Sequence, residues 1–169
     1  MNFSLRPLQA CDVAPIAYAF AALGWNKPAS QYERYLQEQE AGRRVVLVAF
    51  VDAAFAGYLN VVWESGYTPF REENIPEIQD FNVLPPLRQQ GIGTRLMEAA
   101  EQQIVERGFS VVGIGVGMTP DYGAAQRLYV RRGYVPDGRG LTTHERTVVY
   151  GESVVVDDDL ALYFTKRLR

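Results

Sequence analysis

The sequence predicts a mixed α/β or α+β fold built as one domain over residues 1–169. Two observations carry this. Apolar residues switch between spacings of three and four, the period of a helix, and short runs of β-branched and aromatic residues that mark strands. The resulting order is strand, two helices, three strands, helix, strand, helix and then further strands, which one layered domain accommodates. Length sets the domain count. A chain of 169 residues without an internal repeat, a low-complexity linker or a shift in composition is about one domain long. It buries most of its apolar surface without metals or crosslinks.

The elements follow in order. "NFSLRPL" is a first strand closed by Pro7. From Ala10 to Leu23, the residues Val13, Ile16, Ala17, Phe20 and Leu23 share a helical face, with Asp12 placed to cap its start and Pro15 in the first turn. "GWNKPAS" interrupts. "SQYERYLQEQEAG" is a second, more polar helix, with Ser30 and Glu33 spaced as a capping box and Gly42 past its end. Val45 to Val51 and Phe55 to Trp63 are two strands joined tightly through "DAA". The polar, proline-bearing "ESGYTPFREENIP" reads as a loop, and "EIQDFNVL" as a strand ended by Pro85 and Pro86. The clearest helix runs from about Gly91 to Arg107. Ile92, Leu96, Ala100 and Ile104 form its stripe, Met97 and Ala99 widen it, and Gly108 follows the last turn. "SVVGIGVG" is a strand interrupted by glycines, and "YGAAQRLYVRR" is a shorter helix stopped by Gly133. "GYVPDGRG" is rich in turn residues, and "TVVYGESVVVDDDLALYFTKRL" supplies strand material.

Composition excludes several functions. A formal net charge of -3 gives no electrostatic footprint for nucleic acid or an anionic membrane. Cys11 is the single cysteine and His144 the single histidine, so neither an internal disulfide nor a Cys/His zinc site is expected. No uninterrupted apolar run approaches the roughly 18 residues that span a bilayer. The N-terminal stretch lacks the layout of a signal peptide. The expectation is a reduced, cytoplasmic protein without nucleic-acid or membrane partners.

The stretch "LPPLRQQGIGTRL", Leu84 to Leu96, asks for a function. A strand stops at the prolines, two glycines follow one residue apart, and a helix begins. Helix starts leave backbone N–H groups without intrahelical partners and carry about half a positive charge. Glycines let an anion approach such groups closely, and Arg88 stands nearby with a full charge. The P-loop reading fails because no lysine lies between Lys27 and Lys166. The dinucleotide fingerprint fails because Leu96 stands where its third glycine belongs, and because the preceding meander offers no parallel βαβ unit.

"RQQGIG" fits the pattern Arg/Gln-x-x-Gly-x-Gly/Ala at a strand-to-helix junction, and "AAQRLYVRRGYVPDG" fits A-x-x-L-Y-x-x-x-G-F/Y through Ala125, Leu128, Tyr129, Gly133 and Tyr134. Together they resemble the GCN5-related N-acetyltransferase superfamily, whose element order matches nearly the whole chain. The resemblance implies a central mixed, mostly antiparallel sheet flanked by helices and a single N-acetyltransferase domain. It implies acetyl-coenzyme A as co-substrate without a metal, a small-molecule or peptide amine as acceptor, and it admits a homodimer. By the same resemblance, the backbone of Gln89, Gln90, Gly91, Ile92, Gly93 and Thr94, with Arg88, holds the pyrophosphate. The main chain of Phe81, Asn82 and Val83 holds the pantetheine arm, and Tyr129 protonates the departing thiolate.

One departure from the family pattern is Tyr122, which stands seven residues before Tyr129 where many members carry a cofactor-contacting asparagine. Its ring remains a candidate to pack on the pantetheine or adenine. For the base that takes the amine's proton, Glu77 is the first candidate, Asp80 its rival on the opposite face of a regular strand, and a water relay the alternative. Tyr67, Phe70, Glu72 and Glu73 fall in the variable substrate-side segment. His144 and the acidic run Asp157 to Asp159 read as surface features. A non-catalytic acyl-coenzyme A-binding member, or an acyltransferase with another acyl group or acceptor, shares the same motifs.

Overall fold

A strand with a long unbroken apolar run must be covered on both faces. In the computed structural model, which describes residues 2–144 and 146–169, β2 (Arg44–Val51) meets that condition: Val46, Leu47, Val48 and Ala49 are fully buried. It pairs antiparallel with β1 (Phe3–Pro7) on one side and with β3 (Ala54–Val62) on the other. The hairpin turn between β2 and β3 places Asp52 and Ala53 at φ 48° and 66°, the double left-handed geometry that follows the twist of paired strands.

The remaining strands are β4 (Glu77–Val83), β5 (Val111–Gly117), β6 (Val135–Thr143), β7 (Arg146–Thr147) and β8 (Ala161–Arg167), in the order β1-β2-β3-β4-β5-β8-β6-β7. The helices are α1 (Val13–Ala22), α2 (Ala29–Glu40), α3 (Thr68–Glu72), α4 (Ile92–Glu106) and α5 (Gly123–Arg131). The class is the expected one, a mixed α/β fold with a large, mostly antiparallel sheet flanked by helices. β4 and β5 are the parallel pair, registered through Glu77 with Gly113 and Ile78 with Ile114. The turn after β4 therefore does open a parallel βαβ crossover, against the sequence expectation, and the missing third glycine alone argues against a dinucleotide fingerprint. Among the described residues no helix is long and apolar enough to cross a membrane.

The chain forms two compact units, the first made of residues up to Trp63 with Gln79–Gln102, the second of Glu64–Ile78 with Gln103–Arg169. In the first, α1 contributes Val13, Ile16 and Phe20 and α2 contributes Tyr32 and Tyr35 to a core shared with Val46, Val48 and Tyr58. The Phe20 ring meets Tyr58 edge-on at 5.9 Å and stacks on Trp25 at 5.5 Å. The α4 stripe is buried as its spacing requires, with Ile92, Leu96, Met97 and Ala100 in this unit and Ile104 in the second.

In the second unit the glycines of β5 explain themselves. A β-carbon at Gly113, Gly115 or Gly117 would lie 2.1, 2.9 or 2.4 Å from the rings of Phe70, Tyr163 and Tyr122. These three positions share one face of the strand, so aromatic rings lie directly on its backbone.

Several local expectations are corrected. Asp12 makes no side-chain cap on α1 itself but closes a capping box with Gln9 on the 3-10 turn, Ala10–Asp12, that leads into it. It accepts Gln9 N–H at 2.8 Å and pairs with Arg6 at 2.6 Å, a charge-assisted bond stronger than a cap. Ser30 lies inside α2, whose N-cap is Pro28, so the capping box is absent. Leu23 falls past α1 and is 36% exposed. The supposed loop after β3 contains α3. The stretch "PDGRG" is absorbed into β6, whose register with β8 slips between Pro136 and Leu141 where Gly138 and Gly140 take positive φ. Val148 to Asp159 is not strand, and Val149, Tyr150, Val155 and Val156 are exposed.

Candidate functional site

The first unit carries the glycine turn. After β4, Pro85–Leu87 make one 3-10 turn, and Gln89 and Gly91 both take left-handed backbone, at φ 61° and 81°. Among the described residues nothing crowds the missing Gly91 side chain, so its conformation is what calls for glycine there. Backbone bonding resumes only at Arg95, whose N–H reaches Gly91 O at 3.1 Å. Among the described residues no acceptor takes the six N–H groups of Gln89, Gln90, Gly91, Ile92, Gly93 and Thr94. They gather at the positive end of a 15-residue helix.

Arg88 is exposed and directly precedes the glycine turn. Its Nε donates to Val83 O at 3.0 Å and its guanidinium lies 5.9 Å over the Trp25 ring, so it is tied to the end of β4. Phe81, Asn82 and Val83 are half-buried. Their backbone runs so close to β3 that a β-carbon on Gly57 would lie 2.5 Å from Asn82 O.

Asp80, the rival base, proves to be the hub of a polar cluster. Lys27 Nζ donates to Oδ1 at 2.6 Å and Asn82 Nδ2 at 2.9 Å, while Gln31 Nε2 at 3.0 Å, Tyr35 OH at 2.9 Å and the Tyr58 hydroxyl reach Oδ2. Five donors on one carboxylate exceed its roughly four lone-pair sites. Burial pushes the Asp80 carboxyl up, but Lys27 and the two phenols outweigh it and hold the group below its ordinary range. Burial and the Asp80 charge push Tyr35 up to about 12 and Tyr58 further. A carboxylate so stabilised is a weak proton acceptor. Its φ of 45° also shows that β4 is not a regular strand, so the alternating-face argument does not hold at this residue.

The second unit carries Tyr129, Glu77 and Tyr122. Tyr129, on α5, is 4% exposed and lies 6.0 Å from the Tyr134 ring. Burial, with the neighbouring Tyr122, pushes its phenol well above the ordinary value. Its hydroxyl has no hydrogen-bond partner among the described residues. Glu77 is also 4% exposed, and Ser65 Oγ donates to its Oε2 while accepting Tyr67 N–H at 3.0 Å. The carboxylate thus anchors the segment that follows β3. Tyr122 lies over Gly117 with its hydroxyl on Asp158 Oδ1 at 3.0 Å, a partly exposed ring already engaged by protein.

Of the four acceptor-side candidates, Tyr67 and Phe70 are buried. Tyr67 stacks on Tyr163 at 3.7 Å and donates to Asp137 at 2.8 Å, and burial followed by Asp137 pushes it up to about 12. Glu72 and Glu73 are exposed, and Glu73 pairs with Arg139 at 3.0 Å. His144 is exposed and lies 3.3 Å from Asp159. With Asp157 these offer three ligand atoms within 4.8 Å of one another, all at the surface.

Sequence reasoning missed Lys27, Gln31, Tyr35 and Tyr58. The i,i+4 spacing of Gln31 and Tyr35 was a visible signal, but nothing local tied them to a carboxylate on β4.

A sequence model of the acetyltransferase (GNAT) family matches residues 14–134. An uncharacterised N-acetyltransferase of Archaeoglobus fulgidus is 35% identical over 86 residues, 50% of this chain and 55% of that relative, so the match spans about half the relative's length. Among solved structures, an N-acetyltransferase from Staphylococcus aureus Mu50 aligns with a TM-score of 0.73 at 13% identity, over 100% of both chains. A PaiA N-acetyltransferase from Thermoplasma acidophilum, solved in complex with coenzyme A, aligns with 0.69 at 13% identity, over 99% of both. At such identities the structures share a fold.

Proposed function

The chain belongs to the acetyltransferase (GNAT) family, and on that premise we propose that it moves an acetyl group from acetyl-coenzyme A to a primary amine by direct attack in a ternary complex. The observation that carries this reading is the run of six unpartnered N–H groups from Gln89 to Thr94 at the start of α4. Such a run is a fitting cradle for a pyrophosphate, because converging donors and the helix dipole both favour negative charge. The exposed surroundings of Gly91 leave room for it.

In this reading residues 1–169 act as one N-acetyltransferase domain, and each residue has a physical task. The backbone of Phe81, Asn82 and Val83 bonds the amide-bearing arm, with Arg88 sharing the Val83 carbonyl it already holds. Acetyl-coenzyme A supplies an activated thioester, so holding two substrates in line provides most of the rate and no metal is needed. Tyr129 donates its proton to the sulfur as the thioester opens. Burial keeps that phenol protonated at any working pH, and its hydroxyl has no competing acceptor among the described residues. A thiolate forming in equally dry surroundings is itself more basic than one in water, which narrows the gap between the two groups. Glu77, or water ordered near it, takes the amine's proton. Asp80 is the poorer base because five donors already satisfy it.

Release of coenzyme A, followed by thiol titration across a panel of amines, tests the reading. Amine-dependent release supports it, whereas tight coenzyme A binding with no release from any amine would make the chain a binding module. Within an active enzyme, Glu77→Gln flattens the rise of rate with pH. An unchanged profile assigns the proton to a water relay.

A further inference from the structure

The Asp80 cluster is larger than a buried carboxylate needs, and it sits where β4 bends. Within β4, Asp80 alone has a positive φ. A non-glycine residue keeps that conformation only where its surroundings over-determine it. Here the constraint arrives from three directions: Lys27 from the connection between α1 and α2, Gln31 and Tyr35 from α2, and Tyr58 from β3. Lys27 is fixed in turn by Tyr58 OH at 3.2 Å and by the Phe20 ring at 5.6 Å. Both members of the ion pair are about four-fifths buried, with side-chain exposures of 19% and 21%. Directly after the bend come Phe81, Asn82 and Val83, and Leu84 N–H then bonds Ala56 O of β3 at 2.9 Å.

We propose that the Lys27–Asp80 ion pair, with Tyr35 and Tyr58, is a positioning device that fixes the bend of β4 and so aims the backbone groups of Phe81–Val83 at the pantetheine arm of the acyl donor. This rests on the acyl-coenzyme A reading above. The contacts of the pair are with its own protein: Lys27 with Tyr58, and Asp80 with Gln31, Tyr35, Tyr58 and Asn82. The pair acts through the strand, so its removal weakens what the strand holds and spares what the glycine turn holds.

Two ligands separate those contacts: coenzyme A, and phospho-ADP, the fragment that keeps the pyrophosphate and lacks pantetheine. The double variant Lys27→Met with Asp80→Asn removes both charges at nearly constant volume and strands neither in the interior. Tyr35→Phe deletes one donor more gently, should the double variant fold poorly. By calorimetry, the double variant binds coenzyme A about tenfold more weakly, the scale of one misaligned hydrogen bond, while phospho-ADP affinity is unchanged. Tyr35→Phe shifts coenzyme A affinity in the same direction by less. Lys27→Arg, which keeps the charge, restores most of the affinity. In the free protein, hydrogen exchange quickens at Phe81–Val83 while the amides of α4 keep their protection.

Unchanged coenzyme A affinity, or equal weakening of both ligands, overturns the proposal. Unchanged exchange at Phe81–Val83 overturns it without reference to any ligand. A wild-type chain that binds neither ligand overturns the acyl-donor reading itself, and the exchange result then stands alone on whether the pair sets the bend.

Discussion

Tyr58 in the first unit and Tyr129 in the second are both buried phenols whose ionisation is suppressed by burial. They differ in one respect. Tyr58 donates a hydrogen bond to the Asp80 carboxylate and accepts from Lys27 and Tyr32, whereas Tyr129 has no hydrogen-bond partner among the described residues. A buried polar group is ordinarily satisfied, because an unmade bond costs stability. The first phenol therefore stabilises the fold. The second has no acceptor among the described residues and its hydroxyl is not fully enclosed, which suits the acid role proposed for it.

The largest test of that contrast is Asp80→Ala. It leaves the Lys27 ammonium largely buried without its counter-charge and should cost about 3 kcal/mol in denaturant unfolding, the low end for breaking such a pair because the pair retains some exposure. A cost near zero would mean that the cluster is solvent-screened and that Tyr58 has no special partner. Next comes Tyr129→Phe, which should lower turnover by about a hundredfold, the range of one general acid, while stability and coenzyme A affinity hold. A destabilised but fully active variant would place Tyr129 in the same class as Tyr58. Tyr58→Phe should cost about 1–2 kcal/mol of stability, with its effect on the reaction confined to weaker coenzyme A binding, since Asp80 loses one of five donors.

The smallest effect is in pH. Because the folded-state Asp80 is held below its ordinary pKa, its contribution is present above about pH 4 and is lost as pH falls below that value. Wild type should therefore lose stability between pH 5 and about pH 2 more steeply than Asp80→Asn. The raised phenols act in the opposite sense. Their contribution is complete below about pH 10 and fades above it. Parallel acid profiles for wild type and Asp80→Asn would remove the carboxylate from the stabilising account.

Much of this was legible in the sequence because it depends on neighbours along the chain. The α4 stripe, the β2–β3 hairpin and the turn at Gly91 are set by residues within a few positions of one another. The capping box at Ser30 failed because Pro28 already supplied the extended residue that starts α2. "PDGRG" read as a turn because glycine and proline usually mark one, yet pairing with β8 made it a bulged strand. Likewise, the valines of 148–156 have strand propensity but pair with no strand among the described residues. The Asp80 cluster was invisible for a simpler reason: Lys27 lies 53 residues from its carboxylate, and no local spacing encodes that pairing. The same holds for Ser65 and Glu77, which converted a candidate base into an anchored carboxylate without removing it from the reaction.

In the proposed function the backbone from Gln89 to Thr94 holds the pyrophosphate of coenzyme A. The direct measurement is a titration of nitrogen-labelled protein with coenzyme A, followed by amide nuclear magnetic resonance. Large shifts are expected at Gln89, Gln90, Gly91, Ile92, Gly93 and Thr94, reproduced by phospho-ADP. Saturable coenzyme A binding that leaves those six amides unmoved would contradict it.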